Sequence, residues 1–266
     1  MKKQFAFILL FSTWLAAGSF TGNASKTQIS FADNVVVAHR GAWKNNNFPQ
    51  NSIASLKHAI DLKCTGSEFD VRMTSDDELI INHDPEYNKL PIENTKYKEL
   101  LAFTLSNGEK LPTLQEYIRE GIKNNTSTRL VCEIKPSEIS KERGKIIAAN
   151  VVELVKKMKA QHMIVYISFD YDILKKVKEI DPTAITQYLE GDKSPEQLKT
   201  DGINGADYHF SVFVKHPEWI EMAKKNNITL NAWTVNEAAE MDWLLANNFD
   251  FITTNEPELL LERMKQ

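Results

Sequence analysis

Only two of the 266 residues are cysteine, Cys64 and Cys132, too few for a disulfide framework, and no Cys or His pair has the spacing of a structural zinc site. A basic excess is also missing. The formal net charge is −4, and it becomes more negative once Lys2 and Lys3, the only charges among the first 24 residues, are set aside. A net-acidic chain gains nothing from a polyphosphate surface, which excludes nucleic acid as a partner and makes any affinity for phosphate local. Ten Gly and nine Pro rule out a low-complexity chain, and no internal repeat, charge block or Pro/Gly/Ser linker divides it.

One apolar stretch stands apart, residues 5–18, behind Lys2-Lys3 and ahead of small residues suited to cleavage after Ala24 or Ser19. It reads as an export signal, because a membrane span needs roughly 20 apolar residues. An uncleaved anchor is the alternative reading. No Cys lies near the cleavage site, so no lipid anchor is indicated. The expected organisation is a signal peptide over 1–24 and a single catalytic domain over 25–266, exported to the periplasm or secreted, with no stable membrane insertion after cleavage. Disulfides persist in such a compartment, but Cys64 sits at a helix end and Cys132 inside an apolar strand, which favours two buried free thiols.

What the chain does have is a regular alternation of strand-like and helix-like segments, the pattern of a parallel sheet with crossover helices. Candidate strands cover 35–39, 67–71, 130–135, 164–169, 184–189, 207–212, 230–235 and 251–254. Candidate helices cover 52–62, 113–123, 141–159, 171–180, 195–200, 217–226, 237–247 and the tail from 257. Eight strands close a barrel, and 266 residues with 42% apolar content fit one domain of that size. The fold class is therefore α/β, a distorted (β/α)8 TIM-type barrel. The distortion is a β-hairpin after the second strand: residues 78–83 follow the turn Thr74-Ser75-Asp76-Asp77 too closely for a parallel crossover. A two-residue loop at Asp76-Asp77 would set His83 directly opposite Asp70, with both side chains in one cavity. The polar insertion at 85–112, helix-like over 96–105, reads as a lid or substrate-selecting cap.

Several strands end in chemistry. His39-Arg40-Gly41, Glu68-Phe69-Asp70, His83-Asp84 and Glu133-Ile134-Lys135 each close an apolar run, which places an active site at the mouth of the barrel. Glu68 and Asp70 are two apart on a strand and share a face. Two inward carboxylates repel unless something positive lies between them; with Glu133 they form an oxygen set for one divalent cation, calcium or magnesium. The alternative is a salt-bridge network with Arg40, Lys135 and Arg72 and no metal. His39 and His83 beside this set form an acid–base pair suited to cleaving a phosphodiester, and Arg40 and Lys135 are the candidate phosphate ligands.

These residues carry a resemblance. His39-Arg40-Gly41, Pro49-Gln50-Asn51-Ser52, Glu68-Phe69-Asp70-Val71, the turn from Thr74 to Asp77, Asn82-His83-Asp84, Glu133-Ile134-Lys135, Ile167-Ser168-Phe169 and Ala232-Trp233-Thr234-Val235-Asn236 occur in the order and spacing of the glycerophosphodiester phosphodiesterases. The resemblance runs from His39 to the Thr-Thr-Asn ending at Asn255. It implies a distorted (β/α)8 barrel that splits glycerophosphodiesters, such as glycerophosphocholine or glycerophosphoethanolamine, into glycerol 3-phosphate and an alcohol. His39 and His83 would be the acid–base pair, Glu68, Asp70 and Glu133 the metal ligands, and Arg40 and Lys135 the phosphate ligands. Trp233 would lie against the glycerol backbone, whereas Phe169 reads as core. The chain departs from the family at Gln50, where an acid is usual; a loss of charge there would weaken the cation site or the positioning of His39. Asn51 reads as a cap before the first helix, with Ser52 the stronger capping candidate.

The implied partner is a small-molecule phosphodiester, and no motif specifies an oligomeric state. Two other functions fit the same residues: a phospholipase acting on lysophospholipids or phosphoinositides, and a binding protein that captures phosphodiesters without cleaving them. The polar stretch at 86–106 supplies little of the apolar rim the first needs. Retention of both histidines and all three acids argues against the second.

Overall fold

Short β-branched runs buried on both faces become inner parallel strands, and the amphipathic stretches between them cover the outside. The computed structural model describes residues 30–265, so the expected signal peptide lies outside the described residues. The strands are β1 (Val36–Ala38), β2 (Gly66–Met73), β3 (Leu79–Ile81), β4 (Glu86–Tyr87), β5 (Leu90–Pro91), β6 (Arg129–Ile134), β7 (Ile164–Ser168), β8 (Ile185–Tyr188), β9 (Gly205–His209), β10 (Thr229–Trp233) and β11 (Phe251–Thr254). β1, β2 and β6 to β11 pair in parallel, each with its neighbour, and the β1–β11 and β1–β2 pairings close the barrel. The helices are α1 (Ile53–Asp61), α2 (Tyr97–Leu100), α3 (Leu114–Ile122), α4 (Lys141–Lys157), α5 (Tyr171–Ile180), α6 (Pro195–Thr200), α7 (Phe210–Lys215), α8 (Glu218–Asn226), α9 (Ala238–Ala246) and α10 (Pro257–Arg263). No helix of the described residues is long and apolar enough to cross a membrane. Both cysteines are buried free thiols.

Helix starts follow their capping residues. Ser52, Ser140, Asp170 and Ser194 each accept a first-turn amide, and Thr113 with Glu116 forms a full capping box before α3. Inside the barrel, Val37, Val131, Val165, Ile167 and Leu189 form a small apolar plug. Above that plug the inward positions turn polar, and the cavity begins there.

The structure corrects three expectations. Only β9, ending at His209, is strand in the segment 207–212; Phe210 to Val212 open α7, because His209 accepts the Ser211 amide and caps a helix. The helix in the insertion shrinks to α2, and the rest folds into the β4–β5 pair and a 3-10 turn over an apolar cluster of Ile80, Tyr87, Ile92, Leu100 and Leu111. The hairpin register is shifted by one. Thr74 N donates to Glu78 O (2.9 Å), leaving a three-residue loop whose last member, Asp77, has φ +61°. This is a turn with a left-handed closing residue, held by the Thr74 hydroxyl, which donates to Asp76 and accepts the Glu78 amide. Asn82 therefore faces Asp70, its N–H donating to Asp70 O at 3.0 Å, and His83 lies beyond the ladder.

The insertion is fastened rather than free. Buried Glu93 accepts from Ser137 Oγ (2.6 Å), Glu138 N (2.8 Å) and Arg143 Nε (2.9 Å), which ties it to the start of α4. None of residues 85–112 lines the cavity.

The turn after β1 depends on backbone that few residues adopt. Arg40 has φ +56° and Gly41 φ +79°, and a Cβ on Gly41 would meet Ser55 at 2.5–2.7 Å. Gly41→Ala should therefore destabilise the fold by about 2 kcal/mol or more, lowering the thermal midpoint by about 4–8 °C in a scanning calorimeter. A midpoint within a degree of the parent would show that this turn relaxes freely.

Candidate active site

Parallel pairing between β2 and β6 sets Asp70 beside Glu133, and Glu68 lies two residues earlier on the same face. All three are buried, at 2%, 1% and 7% exposure, and an oxygen from each lies within 4.8 Å of the others. Burial, reinforced by Asp70 and Glu133, pushes the Glu68 carboxyl well above the ordinary carboxylate range. Glu133 is pushed up to about 7, first by burial and then by Asp70. For Asp70 burial acts the same way, but Lys135, His83, Asn51 and Arg40 outweigh it and hold its pKa low.

Two cations face the trio. Lys135 Nζ lies 2.7 Å from Glu133 Oε1 and 3.3 Å from Asp70 Oδ1, and Arg40 Nε is 3.6 Å from Asp70 Oδ2. Three acids against two cations leave one charge unmatched, and Glu68 Oε1 is buried with no hydrogen-bond partner. A hard divalent cation fits this oxygen set. Arg72 forms no ion pair with the trio: its Nε donates to the backbone carbonyl of His83 (2.9 Å), so it positions a histidine instead.

The two histidines are held differently. His39 Nδ1 lies 2.8 Å from Asn255 Oδ1; with the amide oxygen as acceptor the ring donates from Nδ1 and leaves Nε2 toward Glu68, 4.0 Å away. Burial, then the charge of Arg40, lowers the His39 pKa to about 4, so the ring is neutral at pH 7. His83 is more open, with Nδ1 2.7 Å from Asp84 Oδ1, and burial lowers its pKa despite the pull of Asp70. Both rings line one cavity of about 110 Å3 with Arg40, Glu68, Glu133, Lys135 and Trp233. All the candidate residues from the sequence thus meet in one place: Asp70 stands just behind that lining, bound to its neighbours.

Other placements differ from the sequence reading. Asn51 is not a cap: Ser52 caps α1, while Asn51, buried at φ +60°, clamps Asp70 by donating from Nδ2 to Oδ2 (2.8 Å) and accepting the Asp70 amide on Oδ1 (3.1 Å). Gln50 Oε1 accepts from Arg40 Nη1 at 2.7 Å. Phe169 packs against the apolar plug and also lines the cavity, edge-on to Trp233 with ring centroids 5.4 Å apart. Asn255, and Asp207 in the cavity wall, had no proposed role; the one visible signal was that each lies in or just after an inner strand.

The family model described as "Glycerophosphoryl diester phosphodiesterase family" matches residues 39–259. The chain is 28% identical over 251 residues to a glycerophosphodiester phosphodiesterase of Caldanaerobacter subterraneus, covering 87% of this chain and 98% of that protein. It superposes on a crystal structure of a glycerophosphodiester phosphodiesterase from Parabacteroides distasonis with TM-score 0.84 and 39% identity, covering 89% of this chain and 98% of that one. A phosphodiesterase of Oleispira antarctica, solved with the product sn-glycerol-3-phosphate, shares the fold at TM-score 0.75 and 23% identity, covering 88% and 97% of the two chains.

The raised carboxyls make the affinity expected of the trio for a divalent cation depend on pH. A carboxyl whose folded pKa is raised contributes stability in its neutral form below about 4.5, and that contribution is lost as pH rises through about 7. Protons and a cation compete for the same oxygens, so the rise in thermal midpoint on adding calcium or magnesium should be small at pH 5 and larger at pH 7.5. Glu133→Gln should shrink it at both. A shift that is equal at the two pH values, or unchanged in the variant, would remove Glu133 from the cation site.

Proposed function

The chain belongs to the glycerophosphoryl diester phosphodiesterase family, and from that premise we propose that it hydrolyses glycerophosphodiesters to glycerol 3-phosphate and an alcohol with the help of one divalent cation. The observation carrying this reading is the convergence of two imidazoles, two cationic side chains and a buried carboxylate trio on one small cavity. Arg40 and Lys135 bind and orient the phosphate, Arg through a fork of N–H donors and Lys as a compact charge. Glu68, Asp70 and Glu133 would hold the cation, whose chemistry when bound is to polarise a phosphoryl oxygen and offset charge that builds in the transition state. One imidazole takes the proton of the attacking oxygen and the other returns a proton to the departing alcohol. Asn255 keeps the His39 ring oriented, and Asp84 with Arg72 does the same for His83.

Hydrolysis of glycerophosphocholine, followed by phosphorus NMR, tests the roles. His39→Ala and His83→Ala should each lower kcat by about 100- to 10,000-fold. Chelator should abolish turnover, and calcium or magnesium should restore it. Full activity in either alanine variant would remove that histidine from the mechanism.

The same proposal places the reaction outside the cytoplasm, on the strength of Lys2-Lys3 and the apolar stretch that follows. N-terminal sequencing of the protein from the extracytoplasmic fraction should begin at Ser25 or Phe20. An intact Met1 would overturn export by cleavage.

A further inference from the structure

Asp207 sits in the middle of β9, is 1% exposed, and lines the same cavity as His39, Glu68, Glu133 and Lys135. The phosphodiesterase mechanism does not use it. Its Oδ1 is buried and has no hydrogen-bond partner. The neighbouring polar groups leave this oxygen unpaired. Trp233 Nε1 donates to the backbone carbonyl of Asp207 (2.8 Å), and Asn231, which reaches the carboxyl from the next strand, shares its amide with Thr253 Oγ1 at 3.1 and 3.2 Å. An unmatched buried carboxyl is destabilising, so one aimed into a binding cavity points to a polar partner on the ligand.

We infer that Asp207 is a specificity-determining residue that hydrogen-bonds a free hydroxyl of the alcohol that stays on phosphorus, at the closed end of the cavity. The inference rests on the phosphodiesterase reading above and adds a residue to it. The cavity is small, about 110 Å3; Asp207 in its lining is 1% exposed, whereas the His83 side chain is 38% exposed. The buried end therefore takes the smaller, retained alcohol, while a bulky leaving group projects outward. Trp233 and Phe169, edge to face, give that alcohol an apolar wall for its carbons. Burial, with the charge of Glu133 adding to it, pushes the Asp207 carboxyl above the ordinary carboxylate range, and a carboxyl that holds its proton both donates and accepts, as a hydroxyl does. A site built to bond a hydroxyl rejects the analogue that lacks it, because the buried acid is then left unpaired.

The test compares glycerophosphocholine with 2-hydroxyethyl phosphocholine, which keeps a hydroxyl next to the ester but lacks the terminal carbinol, with a divalent cation present throughout. Wild type should favour the glycerol diester in kcat/KM by about 10- to 100-fold. In Asp207→Leu this preference should collapse, through a rise in KM for the glycerol diester, and Asp207→Asn should recover part of it. Titration calorimetry with glycerol 3-phosphate and 2-hydroxyethyl phosphate reads the same discrimination without turnover, and thermal melts check that each variant folds. Equal losses on both diesters in Asp207→Leu, or equal binding of the two monophosphates by wild type, would overturn the assignment. A wild type that cleaves neither diester but binds glycerol 3-phosphate selectively through Asp207 would overturn hydrolysis and leave Asp207 assigned.

Discussion

Three carboxylates forced into one dry volume are the constraint around which this barrel is arranged. Parallel register between β2 and β6 makes Asp70 and Glu133 neighbours, and strand periodicity adds Glu68. Left alone, such a trio would hold protons rather than charge, and two of the three pKa values do rise. The surroundings are built to offset that repulsion. Lys135 reaches back from the end of β6, the Arg40 amide donates to Glu68 at 2.8 Å, and Asn51 grips Asp70 from both sides. The left-handed backbone at Arg40 and Asn51 is what lets the turns around α1 bring these donors inward.

The two histidines are arranged by the same logic at one remove. His39 is oriented by Asn255, whose own amide donates to Asn236 Oδ1 at 2.9 Å, so a chain of amides from the last two strands sets one ring. His83 depends on the hairpin. Beyond Ile81 the ladder ends, and Arg72 catches the His83 carbonyl. β1 is only three residues long, and β2 outruns it, which frees the edge that β3 then occupies.

Much of this was legible in order of residues. All eight inner strands overlap the segments marked by the strand–helix alternation, and the acids, histidines and cations meet as their positions implied. The misplaced details share one cause: each depends on a hydrogen bond between residues that local pattern does not connect, or on a loop that differs by one residue. The Thr74 hydroxyl lengthened the hairpin loop and shifted the register, and the His209 ring turned a strand end into a helix start. Asn51 and Asn255 look like ordinary turn residues until β2 and His39 are folded against them.

The sequence by itself determined the eight-strand alternation, the set of acids, histidines and cations that gathers at the barrel mouth, and the family, because periodicity and residue type are local properties. Only the tertiary structure decided which amides orient which rings, that Arg72 serves His83 rather than the acids, and that Asp207 faces the cavity with an unmatched oxygen. Those outcomes depend on register and burial, which exist only once distant strands are side by side and water has been removed from between them.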